Sequence, residues 1–360
     1  MTKSNPDAPD RAWLDVDLGA IVRNARRIQE LFGAPLLPMV KADGYGLGAV
    51  PVARALETVD PWGYGVATHD EGARLRAGGI TRPVLVFSPL GIDQAGRFRA
   101  DDLRPVIGDL AALDAWLAAQ GGPFHIEIDT GMSRVGFRWH DEALIAALAE
   151  RLRGAQGWEG IFTHFHSADS DEDATREQAD RFSRVVAALD SRPAMVHLSS
   201  SAGAQYGNEF GADLARPGIY LYGARAGSLE PEPVAKLCAR VLAIRRLRPG
   251  DTVSYGAEAE VEADTTIATI GIGYGDGVPR SLGGRGFVEI NGVLVPIVGR
   301  VTMDMVMLDV EDTPVQLDDT AVLFGGLVSL DDQAGLAGTI SYELLTMLTP
   351  RVPRRYRNDS

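Results

Sequence analysis

The chain has 360 residues, of which 45% are hydrophobic and 23% are charged, as is usual for a globular protein. Its net charge of −14 argues against nucleic-acid binding, because phosphate contacts need clustered lysines and arginines. No apolar run approaches the length of a membrane span, and residues 1–11 lack the features of a signal peptide. The single cysteine, Cys238, agrees with a reducing compartment, so we expect a cytoplasmic protein without membrane or nucleic-acid partners.

Strand and helix patterns alternate between residues 36 and 222. We predict strands at 36–40, 63–67, 83–87, 104–107, 124–128, 161–165, 195–198 and 219–222. Helix starts are marked by N-caps at Asp17 and Asp109 and by a capping box of Thr68 with Glu71. Eight strand–helix units over this length predict an α/β fold, a (β/α)8 TIM barrel.

Beyond residue 230 the sequence changes to short β-branched and glycine-rich segments. We predict strands at 241–244, 265–270, 287–298, 305–310 and 320–324, and one late helix at 341–348. The barrel is therefore expected to be followed by a mainly β C-terminal domain. The expected domains are residues 12–229 and 230–360, and a strand near residues 12–16 is a candidate member of the second.

Lys41 ends the first predicted strand, where an α/β barrel places its chemistry. Residues 42–46, which follow, form a glycine-punctuated turn. A desolvated lysine at this position can lose its proton and form a Schiff base with a carbonyl cofactor such as pyridoxal phosphate. A surface lysine at a strand end is the alternative, and the other motifs decide between the two.

Two histidines lie at the C-terminal end of the predicted strand 161–165. His164 and His166 share a face of an extended chain, and with Asp169 or His197 they could be imagined as a metal site. The set lacks the helical or cysteine spacing that makes such a signal specific, so we predict no metal. A histidine that faces the barrel mouth could instead stack on a flat cofactor ring. His166 could also be a core histidine whose hydrogen bonds are satisfied within the protein.

Other predicted strand ends carry groups suited to anions. The strand with Glu127 leads into a turn that presents Arg134, whose guanidinium suits a carboxylate, although a surface loop arginine would give the same pattern. Serines at 199–201 and the backbone N–H groups of Gly218 and Ile219 lie at the last two strands, where barrels bind phosphate. We predict that Glu127 pairs with Arg134, directly or through one water.

Three motifs of the second domain, residues 253–256, 271–277 and 299–304, combine a tyrosine or an acid with turn glycines. Each alone would be ordinary hairpin chemistry. The glycine string around Tyr274 opens no helix, so it is not a convincing dinucleotide fingerprint.

Taken in order, these motifs resemble those of alanine racemases, pyridoxal-phosphate enzymes with a barrel followed by a β domain. The resemblance covers about residues 13–356. It rests on eight motifs: V-K-A-D-G-Y-G, D-T-G-M-S-R-x-G, T-H-F, R-P-G-I-Y-L-Y-G, S-Y-G, G-I-G-Y-G-D-G, G-R-V-T-M-D and R-V-P-R.

The resemblance implies that Lys41 holds pyridoxal 5'-phosphate and moves the proton on the D side. Tyr255, contributed by the partner subunit of a homodimer, would be the base on the L side. The supporting residues would be His164, Arg216 and Glu127. The cofactor would also contact Tyr45, Ser201, Gly218 and Ile219, and the substrate would contact Arg134, Met303, Asp304 and Tyr274.

Three positions depart from the family pattern. Glu127 stands where many members carry a lysine whose carbamate supports the substrate-binding arginine, and it keeps the negative charge on a shorter arm. Ser200 replaces a frequent asparagine, and Pro350 stands where some members have a gate tyrosine. The last two bear on the breadth of substrates more than on the type of reaction.

The first hypothesis is therefore a cytoplasmic alanine racemase that supplies D-alanine for peptidoglycan. A broader amino-acid racemase on the same scaffold is the nearest alternative. A metal-assisted lyase of the D-serine dehydratase or D-threonine aldolase type, and a pyridoxal-phosphate-binding protein without activity, are the others. Inverting a stereocentre needs a proton donor on each face, and the presence of Tyr255 beside Lys41 favours a racemase.

Overall fold

The structure is a computed structural model that describes residues 10–189 and 191–358. The chain divides into two compact units. The first contains residues 21–221 and 225–231, and the second contains, in the described part, residues 10–20, 222–224 and 232–358. The N-terminal strand Ala12–Asp17 thus lies in the second unit.

The first unit alternates parallel strands with helices. Its strands are Tyr64–Val66, Val84–Pro89, Arg104–Ile107, Phe124–Asp129, Trp158–Phe162 and Met195–His197, with a short strand Phe137–Arg138 paired to the fourth. Its helices are Leu18–Phe32, Ala49–Leu56, His69–Ala77, Ala95–Ala100, Leu110–Ala118, Glu142–Leu152 and Glu172–Ala188. The predicted capping box at Thr68 and the predicted N-cap at Asp109 are confirmed.

Two extended segments close the six main strands into a ring. Residues 36–40 make parallel bridges to Gly65 on one side and to Ala215 on the other. Residues 215–217 bridge in turn to Ser200, just after the last strand of the sheet. Six strands and two closing segments therefore give the predicted eightfold barrel, and Lys41 directly follows one of the closing segments.

The predicted eighth strand at 219–222 was wrong. Ile219–Tyr222 is a 3-10 turn, in which the Leu221 N–H donates to the Gly218 carbonyl (2.9 Å). The run is apolar because all four of its side chains are buried, not because it pairs in the sheet. The predicted strand 161–165 also ends earlier, at Phe162, so His164 and His166 lie in the loop that follows.

The second unit is a mainly antiparallel sheet of eight strands. They are Ala12–Asp17, Ala235–Leu247, Thr265–Ile270, Phe287–Ile290, Val293–Val298, Val306–Asp309, Thr320–Phe324 and Arg354–Arg357, and a separate ladder joins Thr252–Val253 to Ala259–Glu260. Two helices, Leu330–Ala337 and Ser341–Thr346, lie between the last two of the eight strands, where the sequence predicted one helix.

The basic C-terminal stretch forms a strand that was not predicted. Arg354–Arg357 runs parallel to Ala12–Asp17. Arg355 pairs with Asp10 (2.8 Å), and Arg357 pairs with Asp15 (2.7 Å), so this basic stretch is held by ion pairs with the N-terminal segment. In the residues that the structure describes, no helix is both long and apolar enough to cross a bilayer.

Candidate active site

Lys41 opens a turn of left-handed backbone. Ala42, Asp43 and Gly44 have φ angles of 53°, 52° and 63°, and Tyr45 has a φ of 54°. Left-handed backbone costs an L-residue roughly 1–2 kcal/mol, so packing and hydrogen bonds around the turn must hold it. Strained backbone that persists in this way is concentrated at functional sites.

Glu71 ties this turn to the neighbouring strand. Its Oε1 accepts a hydrogen bond from the Ala42 N–H (2.7 Å), and its Oε2 accepts one from the Ala67 N–H (2.7 Å). The sequence indicated Glu71 only as a capping residue, because nothing in its spacing reveals the contact with the Ala42 N–H. One carboxylate therefore fixes both the start of a helix and the position of Lys41.

The environment of Lys41 lowers the pKa of its amine. Burial lowers its pKa, the charges of Arg134 and Arg216 lower it further, and Glu71 acts in the opposite direction. A lysine whose pKa is lowered by burial and neighbouring cations can act as a nucleophile and as a base near neutral pH.

Arg216 carries a guanidinium into the interior of the barrel, where the residue is only 2% exposed. Its Nη2 donates to the carbonyls of Thr163 (2.8 Å) and Leu198 (2.8 Å), and its Nη1 donates to Nδ1 of His197 (2.9 Å). Burial lowers the pKa of Arg216 to about 9, so the group remains charged at neutral pH. These contacts leave the Nε–H and one Nη1–H for other acceptors.

His164 lies beside this guanidinium, with its Nδ1 3.5 Å from Nη2 of Arg216. Burial lowers the pKa of His164 to about 3, and the charges of Arg216, Arg134 and Lys41 contribute. The imidazole is therefore neutral at physiological pH and can accept or donate a hydrogen bond without adding charge to the site.

The histidines considered as a metal site have different surroundings and do not converge on one point. His166 is exposed and bonds the Ser167 hydroxyl (2.7 Å), whereas His197 is fully buried between Arg216 and His125. Within residues 10–189 and 191–358, no three His, Cys, Asp or Glu side chains are arranged to hold a metal ion.

Hydroxyl and backbone N–H groups converge where the last two segments of the ring end. Ser201 Oγ accepts from the N–H groups of Gly218 (2.7 Å) and Tyr220 (3.4 Å). A side chain at Gly218 would collide with the Tyr45 hydroxyl, so only glycine fits this cradle. Such groups suit a phosphate, and with Lys41 on the same unit they fit pyridoxal phosphate.

Glu127 is buried, whereas Arg134 lies on an exposed loop. Burial raises the pKa of Glu127 to about 7, although the charges of Arg134 and Arg216 act in the opposite direction. In the described part of the chain, no hydrogen bond or ion pair joins Glu127 to Arg134. The direct contact is thus absent, and the water-bridged contact stays a prediction.

The three motifs of the second unit lie against one another. The Tyr274 N–H donates to the Thr302 carbonyl (2.9 Å), and the Ser254 hydroxyl donates to the Arg300 carbonyl (2.8 Å). This cluster exposes large side chains: Tyr255 is 68% exposed and Met303 is 52% exposed. Exposed apolar groups gathered at one place are typical of a binding surface.

Asp276 organises that cluster and was missed from the sequence. Its carboxylate is fully buried, pairs with Arg11 (2.6 Å) and Arg351 (3.2 Å), and accepts from the Gly273 N–H (2.9 Å). Arg351 also pairs with Asp304, a residue that we predicted to contact substrate. The two arginines that pair with Asp276 are far from it in sequence. The only signal in the sequence was the presence of an acidic residue, Asp276, among the glycines of residues 271–277.

Comparison with known proteins agrees with this architecture. The family model for the alanine racemase N-terminal domain matches residues 16–226, and the model for the C-terminal domain matches residues 234–356. The chain is 36% identical to an alanine racemase of Desulfovibrio desulfuricans over 362 residues, 96% of this chain and 97% of that protein. The chain belongs to the alanine racemase family.

Solved structures give the same result. The alanine racemase of Clostridium difficile superposes with a TM-score of 0.91 at 30% identity, covering 98% of this chain and 97% of that one. An alanine racemase from Bartonella henselae with covalently bound pyridoxal phosphate gives 0.91 at 29% identity, covering 97% and 100%. The predicted fold is confirmed, and the chain is an isomerase that interconverts L- and D-alanine.

We predict that Glu71→Ala slows racemisation by about tenfold or more, because the Ala42 and Ala67 N–H groups lose their acceptor and the Lys41 turn loosens. The loss should also cost roughly 1–3 kcal/mol of unfolding free energy. Asp109→Ala is the matched control, since it removes a helix cap elsewhere in the barrel at a cost of about 1 kcal/mol. Racemisation rates and thermal melting temperatures of both variants test the prediction. Equal racemisation rates for Glu71→Ala and Asp109→Ala would contradict it.

We predict that Glu127→Gln stabilises the cofactor-free protein increasingly as the pH rises. A raised pKa means that native stability is greatest below the ordinary pKa of 4.5 and is lost as pH rises through about 7. At about 1.4 kcal/mol per pH unit, the variant should gain roughly 3 kcal/mol over the wild type by pH 8.

Urea unfolding at pH 5 and pH 8 measures this difference. Glu150→Gln, which removes an exposed carboxylate, is the control and should change the unfolding free energy by no more than about 0.5 kcal/mol. A difference for Glu127→Gln that is the same at both pH values would show that Glu127 is already ionised freely in the folded chain.

Proposed function

We propose that this chain racemises alanine with pyridoxal phosphate bound at Lys41, using Lys41 and Tyr255 as the two bases. The observation that carries the proposal is the position of Lys41, on a strained turn at the end of a barrel segment, with its pKa lowered by burial. The bound cofactor would supply an electron sink that acidifies the α-proton of the substrate.

The barrel unit offers the groups that would hold the cofactor. Tyr45, Ser201 and the backbone N–H groups of Gly218 and Ile219 would contact the phosphate. Arg216 would donate a hydrogen bond to the ring nitrogen. Because its pKa of about 9 keeps Arg216 charged at neutral pH, it would not readily pass a proton to the ring, which limits side reactions.

Lys41 Nζ would remove or return the proton on the D face, and Tyr255 Oη would do so on the L face. A proton must leave one face and return to the other, so one base alone would have to cross the plane of the substrate. Arg134 and the Met303 backbone would hold the substrate carboxylate, with Asp304 near it. Tyr274 would narrow the entrance.

Tyr255 would reach the site of the partner subunit in a two-fold homodimer. Its 68% exposure and the exposed side chains beside it support this proposal, because an isologous interface would cover that surface. We further propose that the enzyme works in the cytoplasm and supplies D-alanine for peptidoglycan.

We predict that Lys41→Ala abolishes both the visible absorbance of the bound cofactor and racemisation, because the covalent attachment and one base are lost together. Tyr255→Phe should keep the absorbance and lose at least about 100-fold in racemisation, the lower range for a proton-transfer group. In D2O it should still exchange the α-proton of D-alanine through Lys41.

Mass spectrometry of both alanine enantiomers after incubation in D2O measures this exchange. Exchange into L-alanine at the wild-type rate by Tyr255→Phe would show that another group serves the L face. Racemisation by Lys41→Ala would contradict the assignment of the lysine.

A further inference from the structure

A chain of hydrogen bonds runs from Arg216 through the interior of the barrel. Nη1 of Arg216 donates to Nδ1 of His197 (2.9 Å), and Nε2 of His197 lies 2.8 Å from Nδ1 of His125. Nε2 of His125 lies 3.3 Å from a carboxylate oxygen of Glu159, which also accepts from Nε of Arg104 (2.7 Å). We call these five residues the interior relay.

The two ends of the relay determine where every proton lies. Arginine can only donate, so Nδ1 of His197 must be bare and Nε2 of His197 carries the proton. That proton is donated to Nδ1 of His125, and Nε2–H of His125 is donated to Glu159, which as a carboxylate can only accept. All bonds between Arg216 and Glu159 therefore have their donor on the Arg216 side, and Arg104 donates to Glu159 from the other end.

The surroundings hold both imidazoles in place and neutral. His125 and His197 are 0% exposed, and burial lowers the pKa of each. The ring of His197 stacks on Phe162 at 4.8 Å, and a side chain at residue 160 would collide with the ring of His125. Full burial and these contacts hold each ring in its observed orientation.

We propose that Glu159 and His125 are positioning residues that act through His197 to fix the direction in which Arg216 donates. This inference rests on the proposed function, in which Arg216 faces the cofactor ring. If Glu159 did not accept, the relay could reverse, and an Nδ1–H of His197 would point at an N–H of Arg216. The guanidinium would then have to move away from the position that its two carbonyl partners define.

The first test measures the protonation of His197 directly. In wild-type protein labelled with ¹⁵N-histidine, with and without pyridoxal phosphate, NMR should show Nδ1 of His197 bare and Nε2 protonated, and the same for His125. A proton on Nδ1 of His197 would overturn the proposal. The measurement on cofactor-free protein does not depend on racemase activity, so it separates this proposal from the proposed function.

The second test uses three variants of the cofactor-loaded enzyme. Glu159→Met removes the acceptor and should lower kcat on the order of 10- to 100-fold, as loss of an outer partner of a site residue does, with KM changed less. Glu159→Gln keeps an acceptor oxygen for His125 and should retain most of kcat. Glu57→Met is the matched control, because Glu57 accepts from Nε of Arg82 at 2.6 Å but pairs with Tyr64 instead of a histidine.

The proposal is overturned if Glu159→Met keeps the wild-type kcat, or if Glu57→Met loses as much kcat as Glu159→Met does. If Glu159→Met does not fold, the wild-type NMR result and the kcat of Glu159→Gln decide. Wild-type protein that shows the relay protons as described but neither binds cofactor nor racemises alanine would refute the proposed function alone.

Discussion

The charge of Arg216 inside the barrel is the constraint on which the first unit depends. A buried guanidinium is costly unless its N–H groups are satisfied, and here two backbone carbonyls and the bare nitrogen of His197 satisfy three of them. The same charge reaches the neighbouring groups. Burial is the largest cause that lowers the pKa of Lys41 and of His164, and the charge of Arg216 lowers both pKa values further.

In the second unit, the loops at residues 253–256, 271–277 and 299–304 form a cluster that exposes Tyr255 and Tyr274. Its interior charge is Asp276, which is fully buried and paired with two arginines from opposite ends of the chain. The cluster can therefore be rigid at its base and exposed at Tyr255. Such an arrangement suits the role proposed for Tyr255, which is to act in the site of a partner subunit.

The residues of the candidate site could be proposed from the sequence because each motif is local. Lys41, Arg134 and the serine and glycine groups each follow an apolar segment, and a parallel barrel gathers the ends of its segments at one rim. The error at residues 219–222 arose because a fully buried turn and a buried strand are equally apolar. Burial alone does not specify which of the two forms.

The interior relay and the ion pairs of Asp276 could not be predicted, because their contacts join residues that are far apart in the sequence. His125 bonds a histidine 72 residues away, and Asp276 pairs with an arginine 265 residues away. No spacing rule relates such positions, and a single buried histidine usually indicates a core residue. These contacts become visible only once the closed ring is known, because the ring brings the facing side chains together.

In the proposed homodimer, each site needs Lys41 from one chain and Tyr255 from its partner. The direct measurement is to dissociate Lys41→Ala and Tyr255→Ala homodimers together, reassemble them with pyridoxal phosphate, and assay conversion of L-alanine to D-alanine. A mixed dimer places both lesions in one site and none in the other, so random exchange should restore about a quarter of the wild-type site density. If mixed dimers are shown to form and activity stays at background, Tyr255 serves its own chain and the shared site is wrong.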